Sequence, residues 1–268
     1  MKNRLIEKLL ECQRKKRKIF CAFLTLGYPN IRATQKLVEG LAERGVDLIE
    51  LGFPFSDPLA DGPTIQFSSE MALKRGVVIR KALQMGRSLR KHGVDIPLIF
   101  FSYLNPIFHS GVKEFPRRLR EAGFDGLIVP DCPPEEDPLL WQACRREGVA
   151  PVFLIAPTTT SARARNIFAR SKGFLYYVSL RGVTGARHDV ARDLKKNLKE
   201  LRGLSQKPIL VGFGVSSPRQ VKRIAKVSDG VIVGSAIVDR IRKSDGRLGP
   251  VFSFVESLVR SLREPARN

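Results

Sequence analysis

Eight short apolar runs, each followed by a stretch with helical spacing, constrain this 268-residue chain more than any other feature. The runs occupy residues 19–26, 48–51, 97–101, 126–129, 150–155, 174–179, 209–213 and 230–233. They are apolar nearly throughout rather than alternating, the pattern of strands covered on both faces in a parallel sheet. Between and after them, apolar spacing predicts helices over 33–44, 69–75, 80–91, 112–121, 135–147, 162–170, 191–202, 218–226 and 251–262. Ahead of the first run, Leu5, Ile6, Leu9 and Leu10 recur at helical spacing and predict an extra N-terminal helix over 2–12. Eight βα units in roughly 250 residues fit a (β/α)8 TIM barrel. An open doubly wound sheet is the competing arrangement, but it uses fewer units and carries a glycine-rich dinucleotide turn after its first strand. Here that turn reads Leu26-Gly27-Tyr28-Pro29. No linker or low-complexity segment interrupts the pattern, so the expectation is a single barrel domain over 1–268.

Composition narrows the classes further. With 43% hydrophobic and 27% charged residues the chain has the balance of a globular protein. No apolar run approaches the roughly 20 residues that span a bilayer, so no membrane partner is expected. The N-terminal segment alternates Leu and Ile with charges, unlike a secretory signal. Cys12, Cys21, Cys132 and Cys144 lie far apart, as do His92, His109 and His188. That spacing argues against a disulfide framework and against a metal centre, and fits a reducing cytoplasm. The formal net charge of +21 favours anionic partners. Yet the basic residues, densest at Arg14 to Lys18, are spread along the helices without interleaved aromatics, so nucleic acid is not the expected partner. A phosphorylated substrate would also benefit from a positive field.

Chemistry is densest in residues 48–66, LIELGFPFSDPLADGPTIQ. Glu50 interrupts an apolar run and Asp61 follows in the loop. A carboxylate in a buried run is expensive unless paired or useful, and two carboxyls in different environments can divide acid and base roles. In a barrel, catalytic groups sit at strand carboxyl ends, where both of these fall. The alternatives are an ion-paired core carboxylate for Glu50 and a turn former for Asp61. Glycines converge late: Gly182 to Gly185 after the sixth run, Gly212 and Gly214 around the end of the seventh, Gly234 after the eighth. Glycines after the seventh and eighth strands let backbone N–H groups close on a phosphate, with Ser235 as the expected cap of a short extra helix. Each could instead serve a tight βα turn. The loop over 180–190 has the composition of a closing lid or of an ordinary surface loop. Tyr176, in the sixth run, could place its hydroxyl in the barrel mouth or serve as a core aromatic.

Taken in order, LGFPFSDPLADGPTIQ, Tyr103-Leu104-Asn105-Pro106, DCPPEE from Asp131, YYVSLRGVTG, GFGVSSPRQV and GSAIV resemble the α subunit family of tryptophan synthase. The resemblance implies a (β/α)8 barrel that cleaves indole-3-glycerol phosphate to indole and glyceraldehyde 3-phosphate. It implies an α2β2 complex, no cofactor or metal in this chain, and a pyridoxal-phosphate β subunit that receives the indole. It implies Glu50 as general acid and base, Asp61 as acceptor of the indole N–H, and Tyr176 beside the acid. By the same resemblance Thr184 is the lid residue, while Gly185, Gly214, Gly234 and Ser235 hold the phosphate. Phe23, Phe101, Phe213 and Ile232 would enclose the indole ring. Asp57, Pro58, Asn105 and Pro133 would face the β subunit. An α-like chain that only activates its β partner is the alternative, and it predicts loss of the acid or of the phosphate glycines. All of these are present.

Overall fold

The computed structural model describes residues 2–178, 189–212 and 214–264, with 189–193 by backbone alone. Nine strand segments form one parallel sheet: β1 (Ile19–Thr25), β2 (Leu48–Gly52), β3 (Leu98–Phe101), β4 (Gly126–Ile128), β5 (Ala150–Pro151), β6 (Phe153–Ile155), β7 (Leu175–Val178), β8 (Ile209–Gly212) and β9 (Gly230–Val233). The helices among the described residues are α1 (Arg4–Arg14), α2 (Ile31–Glu43), α3 (Pro63–Lys74), α4 (Ile79–Lys91), α5 (Leu104–His109) and α6 (Phe115–Glu121). They continue with α7 (Pro138–Glu147), α8 (Ser161–Arg170), α9 (Asp189–Leu204), α10 (Pro218–Ala225), α11 (Ser235–Lys243) and α12 (Gly249–Arg263). The strand order β5-β4-β3-β2-β1-β9-β8-β7-β6 runs around a barrel, with the expected N-terminal helix added.

Nine segments occupy eight staves because the run over 150–155 divides. β5 pairs with β4, β6 pairs with β7, and Val152 between them donates to Leu127 O at 3.0 Å. Pro151 has no N–H to give the sixth stave, although its carbonyl accepts from Lys172 N at 3.0 Å. The ladder to β7 therefore starts only at Phe153, and the chain itself closes the barrel.

Helix starts differ from expectation where proline or a distant partner sets them. α3 begins at Pro63 rather than residue 69, because proline's fixed φ and missing N–H suit a first helical position. Residues read as the end of a loop are thus helical. α5 lies inside the expected loop and is too short to show periodicity; Asp131, from another loop, accepts from Leu104 N at 2.9 Å at its start. α6 begins at Phe115 rather than 112, and α7 at Pro138 rather than 135, with Asp137 accepting from Leu140 N at 2.9 Å. Basic residues follow helices around the barrel, from Arg14 on α1 through Lys91 on α4 to Arg170 on α8 and Arg223 on α10.

The N-terminal end of the barrel is closed by packing and by three carboxylates. Leu5 of α1 is fully buried and sits where a side chain at Gly126 or Gly173 would stand, 3.1 and 3.2 Å from the added carbon. Asp47, Asp125 and Asp229, each immediately before a strand, accept from Phe20 N (2.9 Å), Leu98 N (3.0 Å) and Ile209 N (2.7 Å) of the neighbouring stave. Each also pairs with an arginine: Asp47 with Arg17, Asp125 with Arg90 at 2.6 Å, Asp229 with Arg202. Asp125 is 5% exposed and Arg90 14%, so removing one partner strands the other in a low dielectric. Asp125→Ala is expected to lower the unfolding free energy by about 3 kcal/mol in urea titrations. Asp95→Ala, which breaks only the exposed pair with Arg4, should change it by less than about 0.5 kcal/mol.

Candidate active site

Cross-strand partners in a parallel ladder share a face of the sheet. The register Phe23↔Glu50↔Ile99 and Gly52↔Phe101 puts Phe23, Glu50 and Phe101 together on the inner face. The pairing Cys21↔Ile232 carries Cys21 and Ile232 onto the same face, and Gly234 follows one inner position later. Phe23 and Phe101 meet edge to face, with ring centroids 5.7 Å apart. Three of the four expected indole-ring residues therefore line one apolar mouth. Phe213, Thr184, Gly185 and most of the loop over 180–190 lie outside the described residues.

Glu50 is wholly buried. Its Oε1 accepts from the Cys21 thiol, with the sulfur at 3.6 Å, and its Oε2 has no hydrogen-bond partner among the described residues. Burial pushes the carboxyl up to about 8, and the Cys21 hydrogen bond acts in the opposite direction. The ion-paired core carboxylate is thus not what the fold builds: no cation faces Glu50 among the described residues. Tyr176 is 7% exposed, and its ring lies where a side chain at Gly212 would stand, 2.5 Å from the added carbon. Burial raises its phenol, and the charges of Glu50, Cys21 and Asp61 raise it further.

Asp61 hangs in the loop after β2, its N–H bound to Pro58 O at 3.0 Å. Its Oδ2 accepts from the Tyr103 hydroxyl at 3.1 Å, and that hydroxyl accepts in turn from Ala60 N at 2.9 Å. Burial pushes Asp61 up to about 6 while the Tyr103 hydrogen bond restrains the rise. Tyr103 is therefore a site residue that sequence reasoning missed. Its motif was visible, but its partners sit in a different loop and nothing local marks it.

The opposite rim is built from backbone. Gly214 is exposed with φ +73°, a conformation glycine adopts without strain. Gly234, rather than Ser235, is the cap position of α11; Ser235 is the first helical residue and makes no side-chain cap bond. The expected cap is thus displaced by one residue onto Gly234, where an added side-chain carbon would lie 3.3 Å from Phe23 Cβ. In the opening turn of α11 the N–H groups of Ile237 and Val238 donate to Gly234 O at 2.8 and 3.1 Å, whereas those of Ser235 and Ala236 precede the first helical acceptor and suit an anion.

The four residues expected at a subunit interface lie on the three connections that follow β2, β3 and β4, Asn105 on the short helix α5. Asp57 and Asn105 are exposed, Pro58 and Pro133 half-buried. Leu59 (94% exposed) and Phe108 (67%) stand beside them and were not singled out in the sequence. Tyr103 ties the first of these loops to the second, and Asp131 ties the third to the second through Leu104 N.

A buried carboxyl raised toward neutrality, a second raised carboxyl in the loop after the same strand and a helix N-terminus on the rim define a (β/α)8-barrel enzyme doing acid–base chemistry on a small molecule. Comparison with known proteins narrows the class to one family. A sequence model described as Tryptophan synthase alpha chain matches residues 9–263, and the chain belongs to that family. The tryptophan synthase alpha chain of Dehalococcoides mccartyi is 44% identical over 247 residues, covering 92% of this chain and 96% of that one. The one from Geotalea uraniireducens is 43% identical over 250 residues, covering 91% and 93%. Among solved structures, tryptophan synthase subunit alpha from Legionella pneumophila superposes with a TM-score of 0.90 at 32% identity, covering 98% of this chain and 99% of that one. Mycobacterium tuberculosis tryptophan synthase gives 0.89 at 34%, covering 99% and 100%.

Because the Tyr103 hydroxyl stabilises ionised Asp61, Tyr103→Phe is expected to move the Asp61 titration upward from about 6. Carboxyl-carbon NMR of the variant, read against an Asp61→Asn control for assignment, measures it.

Proposed function

We propose that the chain cleaves indole-3-glycerol phosphate to indole and glyceraldehyde 3-phosphate, as the α subunit of an α2β2 complex whose β subunit takes up the indole. The observation that carries this reading is Glu50: a fully buried carboxyl on the inner face, raised to about 8, with one oxygen uncommitted. Such a group is protonated at neutral pH and can give its proton to C3 of the indole ring. Positive charge then develops on the indole nitrogen, and Asp61, ionised above about 6, accepts the N–H and stabilises it. The Glu50 carboxylate left behind takes the proton of the hydroxyl on the adjoining glycerol carbon. That oxygen becomes the aldehyde carbonyl as the C–C bond breaks, and the bonding pair returns to the ring to restore aromatic indole. Tyr176, whose phenol feels the charge of Glu50, is assigned a place beside the acid; Phe23, Phe101 and Ile232, which share the inner face, are assigned to an apolar mouth around the ring, and Phe213 by family resemblance.

The substrate phosphate is assigned to the rim of Gly214, Gly234 and Ser235; Gly185 as a further phosphate donor and Thr184 as the lid residue are assigned by family resemblance alone. No prosthetic group is needed for these steps. Among the described residues no group of three or more His, Cys, Asp or Glu side chains is placed to hold a metal ion, and no helix is long and apolar enough to cross a membrane. All four cysteines are buried free thiols, which supports a reducing cytoplasm as the setting. For the β subunit, Asp57, Pro58, Asn105 and Pro133 form the proposed contact, extended by the exposed side chains of Leu59 and Phe108.

Indole release from indole-3-glycerol phosphate, with and without a β subunit, tests the reading. Release should rise with β and fall by at least about 10²-fold in Glu50→Gln, the scale of a lost general acid. Since Asp61 must be ionised and Glu50 protonated, the rate should fall below about pH 6 and above about pH 8. No release in either condition, with β still stimulated, would leave an activator and remove the enzyme reading. Asp57→Ala should weaken activation of β while leaving the unfolding free energy of the isolated chain within about 0.5 kcal/mol of wild type, since Asp57 is exposed.

A further inference from the structure

Cys21 has no part in the acid–base scheme above, yet it supplies the one side-chain donor to Glu50 among the described residues. The register pairs Cys21 with Leu48 and Phe23 with Glu50, so the thiol sits one inner position nearer the N-terminal end than Glu50, on the adjacent stave. Diagonal neighbours of this kind are within reach of a long side chain. The sulfur lies 3.6 Å from Oε1, and both residues are fully buried. Without the thiol, Oε1 would be as bare as Oε2 already is.

We propose that Cys21 is a positioning residue for the acid: its S–H holds Oε1 toward β1, leaves Oε2 to carry the exchanging proton, and stabilises the carboxylate formed once that proton has been given. The inference rests on the proposed role of Glu50. The thiol suits the task because it stays a donor: burial, then the charge of Glu50, raise its own titration well above the ordinary thiol value. Its small size also leaves the inner face apolar, where a hydroxyl or amide would demand further partners. Among the described residues the titratable groups facing Glu50 are Cys21 from β1 and Tyr176 from β7; Asp47 acts on Cys21, and Asp61 on Tyr176.

The test compares the pH profile of indole release for wild type, Cys21→Ala and Cys21→Ser in the complex with β. Removing the donor should move the alkaline limb, set by Glu50, upward by about half a pH unit and lower kcat about fivefold, as expected for one weak bond to an ionised acceptor. The acid limb, set by Asp61, and KM should stay in place. Cys21→Ser keeps a donor and should bring both limb and kcat back toward wild type. An alanine variant with the wild-type alkaline limb and kcat overturns the proposal. If that variant folds poorly, infrared difference spectra of the Glu50 carboxyl in wild type and Cys21→Ser decide: a stronger O–H donor must shift the band, and an unshifted band overturns the proposal equally. Glu50→Gln separates the two readings: unmoved Cys21 profiles beside an inactive Glu50→Gln sink only the positioning role, whereas an active Glu50→Gln removes the acid itself.

Discussion

The burial of Glu50 without a cation among the described residues is the constraint on which the rest of the site depends. An ionised carboxylate in an apolar cage costs several kcal/mol even after relaxation, so the group is held neutral at pH 7 and becomes a proton store. That outcome needs a strand covered on both faces, which the parallel barrel provides, and inner neighbours that offer no full charge. It also needs the register to be exact in the literal sense of the ladder: a slip of one residue would turn Glu50 out toward the helices and bring Leu51 inward. The apolar residues on the inner face would therefore serve the proposed reaction by the charge they withhold as much as by the ring they are proposed to enclose.

The two ends of the barrel treat carboxyls in opposite ways. At the N-terminal end Asp47, Asp125 and Asp229 each meet an arginine and a strand N–H, and they tie adjacent staves together where Leu5 plugs the floor. At the C-terminal end Asp61 meets a phenol and Glu50 meets a thiol, both weak donors beside a guanidinium. Burial beside neutral donors raises Glu50 and Asp61 and leaves their protons exchangeable toward neutrality. The same residue type thus serves cohesion at one end and chemistry at the other.

Both carboxyls of the site, and the eight staves, were legible because each rests on a local pattern: continuous apolar runs for the staves, a charge inside such a run for Glu50, a Pro- and Gly-rich loop for Asp61. What stayed hidden depends on partners far along the chain. Tyr103 is one aromatic among many until Asp61 is seen to accept its hydroxyl proton. α5 has no local start signal, since its N-terminal acceptor is Asp131. Pro151 reads as a tolerated strand residue until one knows that its missing N–H faces the sixth stave. Cys21 looks like any small core residue, and only the diagonal reach across β1 and β2 gives its thiol a task.

The hydrogen bonds around Tyr103 bear on how such a site communicates with its surroundings. Its hydroxyl donates to Asp61 and accepts from Ala60 N, so the carboxyl and the loop carrying exposed Leu59 share one polar atom. In the proposed reaction Asp61 takes on the indole N–H, and the hydroxyl must then share that acceptor or turn away. Either change alters what holds Ala60, and hence the geometry of the loop that bears Asp57 and Pro58. Through Leu104 and Asp131 the second and third loops are joined to the same chain of contacts. By linkage, a partner that prefers one arrangement of this loop must change the affinity of the site for substrate by the same factor that substrate changes its own. The coupling requires no long pathway, because the residue proposed to stabilise the reacting ring and the surface proposed to meet the β subunit belong to one short segment.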